Sequence, residues 1–293
     1  DAMTTQRRTM LLGGAAALAG CALTPDRNHD DPDAPWAAPL QRPVHTAWVL
    51  SSGGARGFTH VGVLKALEEL RLAPDLVVGA SVGALVGSMY ASGVEAAQIE
   101  QLALQIQPLG LARLAIGQAE DLSGAPIAEL VRHSARVPRL EQMPRAMACV
   151  ATRRADAATV AFTAGDVGLA VQASAAIAGR FTPVRIRGQQ YIDPDWHAPL
   201  PVRIARALGA RRVLAVDATV HLDRAPPGAE KFRASDLRKQ ALVDADAAHA
   251  DLVLKPDFGY WVNMSTAFRE RAIAAGYRDT MAQASMLRRL FSG

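Results

Sequence analysis

Leu76-Val77-Val78-Gly79-Ala80-Ser81-Val82-Gly83-Ala84-Leu85 reads as an apolar strand, a Gly-x-Ser-x-Gly turn and the opening of a helix. A sharp strand-to-helix turn of this kind holds a serine hydroxyl out above a sheet. Glycines at 79 and 83 let neighbouring backbone approach and let the turn bend through strained φ/ψ. The following helix supplies free N–H groups and a positive dipole end near the serine. Ser81 is therefore the candidate nucleophile.

Immediately upstream, residues 46–50 form a buried strand pattern, followed by the loop Ser51-Ser52-Gly53-Gly54-Ala55-Arg56-Gly57 and a helical pattern over 60–71. Such a loop presents several backbone N–H groups to an anion, either a phosphate or the oxyanion of an acyl-transfer intermediate. It is neither Gly-x-Gly-x-x-Gly nor a Walker loop, since Ser52 stands in the first glycine's place and no Lys-Ser/Thr follows. One helix and one strand (75–78) separate loop from elbow. The two should therefore sit at the carboxyl ends of adjacent parallel strands, where α/β sheets bind ligands.

Downstream, strand patterns at 146–151, 159–163, 184–192, 212–217 and 251–255 alternate with helical patterns at 84–91, 94–107, 125–135, 168–176, 200–208, 227–250 and 264–291. Arg187-Gly188-Gln189 marks a hairpin turn inside the third of these strand runs. Continuous apolar strands between helices predict an α/β fold with a mostly parallel central sheet covered on both faces. Tyr191-Ile192-Asp193-Pro194-Asp195 closes a strand, and a carboxylate there is placed to serve as base for the serine.

The chain has 293 residues, 50% hydrophobic, 20% charged and only 5% aromatic, so Ala, Leu and Val must build the core. A net charge of +4, from 32 basic and 28 acidic residues with no basic block, implies no nucleic-acid partner. Residues 1–20 carry Arg7-Arg8, a short apolar run and Leu18-Ala19-Gly20 before Cys21, which reads as a secretory signal. Leu-Ala-Gly-Cys resembles the bacterial lipobox, with Cys21 as the lipidated residue; the paired arginines resemble a twin-arginine export signal, with a plain Sec signal or an uncleaved anchor as alternatives. Residues 21–44, with Pro25, Pro32, Pro35, Pro39 and Pro43, read as a tether, with an arm packed on the domain as the alternative. The domain then occupies 45–293, including the C-terminal helices. Cys149, in an apolar run, reads as a buried inert thiol. No His/Cys/carboxylate cluster has metal-ligand spacing, and no cofactor is expected.

The segments LSSGGARGFTHVGVL (50–64), Gly79 to Gly83, and YIDPDWHAPLPV (191–202) together resemble the bacterial branch of the patatin-like phospholipases. Gln172-Ala173-Ser174-Ala175-Ala176-Ile177 and Phe181-Thr182-Pro183-Val184 match stretches that lie between those motifs. The resemblance implies a three-layer α/β/α sandwich and a Ser–Asp dyad without histidine. Ser81 would be the nucleophile and Asp193 the base, and N–H groups of Gly53, Gly54, Ala55 and Arg56 would form the oxyanion hole. The Arg56 side chain would brace the loop or meet negative charge on the substrate. The implied activity is hydrolysis of lipid esters, of phospholipase A, lysophospholipase or esterase type. The implied setting is the bacterial cell envelope, at the periplasmic face of the outer membrane through Cys21.

Two departures from the family pattern stand out. Ser52 replaces a glycine, and Pro194-Asp195 replace the small residues that usually follow the aspartate. Proline removes an N–H and drives Asp193 toward extended φ/ψ, and Asp195 adds a second negative charge that raises a neighbouring carboxyl pKa. The Pro194 departure is the best support for an alternative function, a catalytically weak or inactive envelope lipoprotein that binds lipid or a partner protein. A Ser-His-Asp triad using His60, His197, His221 or His249 is the alternative mechanism.

Overall fold

The computed structural model describes residues 27–111, 113–114 and 122–292. The expected signal segment and Cys21 lie outside the described residues.

The strands are β1 (Thr46–Leu50), β2 (Leu76–Ala80), β3 (Arg113–Leu114), β4 (Leu122–Ser123), β5 (Ala146–Arg153), β6 (Thr159–Phe162), β7 (Val184–Ile186), β8 (Gln189–Ile192), β9 (Arg212–Val216) and β10 (Leu252–Leu254). The helices are α1 (Phe58–Glu69), α2 (Val82–Ala91), α3 (Ala96–Gln105), α4 (Ala125–Ser134), α5 (Val167–Ser174), α6 (Val202–Ala207), α7 (Arg233–Ala247), α8 (Thr266–Ala282) and α9 (Ala284–Phe291). The main sheet runs β10-β9-β1-β2-β5-β8-β7, with β6 also paired to β5. From β10 to β5 all neighbours are parallel, whereas β6, β8 and β7 join antiparallel. The sheet is thus mixed: its parallel part holds the elbow, and a hairpin edge completes it.

Strand side chains alternate between two cores. Trp48, Leu50, Val77, Met147, Cys149, Leu214 and Val216 face the larger one, packed by α1 to α5 and the C-terminal helices. Ala47, Val49, Leu76, Val78, Ala148, Val150, Val213 and Ala215 face the smaller one, packed by α6 and α7. Burial on both faces is why these strands read as unbroken apolar runs rather than alternating ones. Burial alone pushes the Cys149 thiol pKa upward, which keeps it protonated and inert.

The order of the strands fixes where a crevice opens. From β1 the chain moves to β2 and then β5 on one side, and it returns to β9 and β10 on the other. Loops leaving β1 and β9 therefore diverge at a topological switch point. There the Ser51 N–H donates to Val216 O at 3.1 Å and the Ala218 N–H donates to Ser51 Oγ at 2.7 Å, tying the two loops together.

Two expectations need correction. The helix expected over 227–250 begins only at Arg233, because Pro226, Pro227 and Gly228 keep the preceding backbone in turns. Residues 27–44 are not a free tether. The Trp36 N–H donates to Ala164 O at 3.1 Å, the Asp166 N–H to Asp33 O at 2.7 Å, and Thr163 Oγ1 to Ala38 O at 2.6 Å. Ala34 is fully buried, and His29 bridges Ile186 on the edge strand β7. The prolines forbid regular ladders within the arm, but its remaining polar backbone finds partners on the domain.

Candidate active site

Ser81 occupies the turn between β2 and α2 at φ 55°, ψ −119°. That conformation is strained for a residue with a Cβ and survives only where its surroundings enforce it. Ser174 Oγ supplies one restraint, accepting from the Ser81 N–H at 2.8 Å and donating to Val150 O at 2.5 Å. Close packing supplies another: a Cβ on Gly83 would lie 2.1 Å from Leu50 O, so only glycine lets α2 seat against the end of β1.

Asp193 follows β8 and caps a short 3-10 turn, Pro194–Trp196. Its N–H donates to Ala176 O at 2.9 Å. The end of α5 and the turn after it therefore hold both partners: Ser174 grips Ser81 and Ala176 grips Asp193. The Ser81 hydroxyl donates to Asp193 Oδ2 at 2.5 Å, and Asp193 Oδ1 accepts the Asp195 N–H at 2.9 Å. Ser81 and Asp193 are 8% and 5% exposed, so their hydrogen bond is sheltered from bulk water yet open to the cavities described below. Pro194 takes the first position of the turn, where its missing N–H costs nothing. Asp193 is extended, at φ −54° and ψ 133°, as a residue before proline should be.

The two departures meet in space. Ser52 Oγ donates to Asp195 Oδ1 at 2.5 Å, and Lys239 from α7 pairs with the other oxygen of Asp195. A serine in the glycine loop and an aspartate after the strand thus compensate each other across 143 residues.

Burial pushes the Asp193 pKa up to about 7, with the Asp195 charge adding to the rise; the Ser81 hydroxyl, the Asp195 N–H and Lys239 oppose it. A carboxylate so poised changes charge near neutral pH, where a general base is most effective.

In the glycine loop, the N–H groups of Gly53, Gly54 and Ala55 have no hydrogen-bond partner among the described residues. The Arg56 N–H, counted above with the oxyanion hole, instead donates to Gly53 O at 3.1 Å inside the turn Gly54–Gly57. The Arg56 guanidinium braces the loop, donating from Nη2 to Tyr260 O at 3.0 Å. Gly53 has φ +153°, and a Cβ there would lie 2.4 Å from Ala218 O, so the close approach of the β1 and β9 loops requires glycine.

None of the weighed histidines hydrogen-bonds Ser81. His60 is fully buried; its Nε2–H donates to Ser51 O at 2.9 Å, and desolvation lowers its pKa to about 4. The His221 Nε2–H donates to Pro256 O at 2.8 Å. His249 follows α7, where its carbonyl accepts from Arg206. His197 lines the polar cavity beside Ser81, and burial lowers its pKa.

Two cavities meet at Ser81. One, of about 330 Å³, is the more polar of the two: Arg56, Asp193, Asp195, His197, Asp236 and Lys239 line it among apolar side chains such as Ile192, Trp196 and Val220. The other, of about 230 Å³, is lined almost wholly by apolar side chains such as Phe58, Leu85, Met89, Leu102, Phe181 and Met264. Gly54, Ser81 and Ile177 belong to both.

An uncharacterized NTE family protein of Mycobacterium bovis is 33% identical over 172 residues, covering 58% of this chain and 48% of that protein. Lysophospholipase NTE1 of Mycosarcoma maydis is 30% identical over 184 residues, covering 58% of this chain and 9% of that protein. Human patatin-like phospholipase domain-containing protein 6 is 30% identical over 181 residues, covering 58% and 13%. The chain thus spans less than half the length of these curated relatives. Among solved structures, VipD from Legionella pneumophila superposes with a TM-score of 0.50 at 14% identity, covering 89% of this chain and 71% of VipD, a likeness of fold. The profile described as patatin-like phospholipase matches residues 48–206, from β1 through the glycine loop, the elbow and Asp193 into α6, and the chain belongs to that family.

Proposed function

We propose that the chain is a serine hydrolase of lipid carboxylic esters, of phospholipase A, lysophospholipase or esterase type. Asp193 takes the Ser81 proton as Ser81 attacks the ester carbonyl; the ester C–O bond breaks and the alcohol leaves with that proton. Water, giving up a proton to Asp193, then hydrolyses the acyl-enzyme to the free acid while Ser81 regains its proton. The oxyanion is held by the free N–H groups of Gly53, Gly54 and Ala55. The observation that carries this reading is the sheltered 2.5 Å hydrogen bond from Ser81 to Asp193 at the junction of an apolar and a polar cavity. The apolar cavity suits an acyl chain, and the polar cavity suits the alcohol side of the ester. The non-catalytic alternative drew on Pro194, and with that proline at the head of the turn no observation favours it.

A fluorophosphonate probe is expected to add once, at Ser81, when the labelled chain is digested and mapped by mass spectrometry. An adduct at Ser51, Ser52 or Ser174 instead, or none, would sink the proposal.

We further propose that the chain is exported as a lipoprotein acylated at Cys21 and held at the bacterial envelope membrane. Two or three acyl chains anchor stably where one does not. Cys21→Ala is expected to move the protein from the membrane to the soluble fraction; recovery in the same fraction as the parent contradicts the anchor.

A further inference from the structure

Apart from Trp36 on the N-terminal arm, the large hydrophobic side chains left exposed among the described residues gather in one place. Ile177, Trp196, Phe232, Leu237 and Trp261 are 38% to 52% exposed. Ile177 and Trp196 line the polar cavity at Ser81. Phe232 meets Trp261 edge-on at 6.1 Å, and Trp261 meets Tyr260 at 5.0 Å. Tyr260 in turn holds Arg56 through its carbonyl and Asp236, the neighbour of Leu237, through its hydroxyl at 2.6 Å. These residues form one rim around the cavity mouth. Met264, three residues beyond Trp261, lines the apolar cavity, so the same loop joins rim and cavity.

Cations sit on the rim's rings. Lys231 lies 5.0 Å over Phe232, and Arg238 and Lys239 lie 5.5 Å and 4.0 Å over Trp196. Lys239 is paired with Asp195, but Lys231 and Arg238 have no carboxylate partner among the described residues. A soluble surface gains nothing from clustering half-exposed aromatics beside unpaired cations. Both kinds of side chain are favoured at the headgroup level of a bilayer, rings at the interface and cations toward anionic lipid.

We infer that this rim is a docking face for a phospholipid bilayer carrying anionic headgroups, which seats the mouth of the Ser81 cavities on the membrane. The inference rests on the lipid-ester reading above, and it adds how the substrate is reached. The occupant is argued from charge complementarity and from the rim's continuity with both cavities.

The test uses the full chain in a Ser81→Ala background, so that no lipid is consumed. Vesicles of phosphatidylcholine, with or without phosphatidylglycerol, carry brominated acyl chains that quench tryptophan only on contact. Trp261 is expected to be quenched in the anionic vesicles, read as the quenching lost on Trp261→Phe. The double variant Lys231→Ala/Arg238→Ala is expected to need about tenfold more anionic lipid for half-maximal quenching. With Ser81 restored, the same double variant should lose about tenfold on vesicle substrate and keep its turnover of a soluble short-chain ester. A Trp261 that stays open to aqueous acrylamide and untouched by brominated lipid overturns the inference. So does a double variant that binds anionic vesicles like the parent. Absence of soluble-ester turnover in the parent would instead strike the hydrolase reading, while the quenching result still decides the rim.

Discussion

Ser81→Ala is expected to lower kcat on a chromogenic ester by about 10³-fold or more while the protein folds normally. The side chain's hydrogen bond goes to Asp193, whereas the Ser81 N–H bond to Ser174 belongs to the backbone and survives the substitution. Residual turnover should persist, because the cavities and the free N–H groups of the glycine loop remain to bind and polarise the ester. Circular dichroism and thermal melting should match the parent. Activity within a few-fold of the parent would remove Ser81 from the mechanism.

Asp193→Asn is expected to be as damaging to turnover, since an amide cannot take the Ser81 proton. Its effect on stability should run the other way. The Asp193 pKa stands near 7 in the fold, above the 3.8 of a solvent-exposed aspartate. The folded state therefore holds a proton that the unfolded chain has released, and the carboxyl's contribution to stability is full below pH 4. It is lost as pH rises through about 7, by roughly 4 kcal/mol on conversion of the shift. Asp193→Asn removes that loss, so its Tm should exceed the parent's at pH 8 and approach it at pH 4. The parent's kcat/KM should fall as pH drops below about 7, because only the ionised base works. Asp195→Asn removes a neighbouring negative charge, so activity should remain and the acid limb should move to lower pH. Lys239→Gln removes the opposing cation and should move that limb upward. An Asp195→Asn variant that is inactive, beside an active Asp193→Asn, would exchange the roles of the two carboxylates.

The elbow, the glycine loop and Asp193 were legible because each lies in a short segment whose local pattern sets its conformation. Strand, turn glycine and helix start can all be read within ten residues. The pairing of Ser52 with Asp195 was not legible, because each looked like a defect in its own motif and only the fold brings the two together. Lys239 was hidden for the same reason, within a charged helix whose pattern says nothing about which residue faces a cavity. Ser174 stood inside a quoted stretch, but its grip on the Ser81 N–H depends on how α5 ends against β5. The engagement of the Arg56 N–H is not legible in sequence, because a glycine-rich loop does not announce that its last residues close into a 3-10 turn. The arm over 27–44 was judged by its prolines, which rule out regular structure but not docking.

If Cys21 is acylated as proposed, that docked arm sets the length of a leash. An anchored chain with a free segment from 21 to 44 could range about 80 Å from its lipid. With the arm docked from His29, the span from Cys21 would be at most about 28 Å. The arm begins at His29 beside Ile186, and the β7–β8 turn there projects past the carboxyl end of β5, the end at which Ser81 stands. Under the proposed Cys21 anchor, a domain held so short, from the same end as its site, would sample the bilayer that anchors it far more often than any other surface. Its substrate supply would then be two-dimensional, set by lateral diffusion of lipid in one leaflet rather than by concentration in the surrounding fluid.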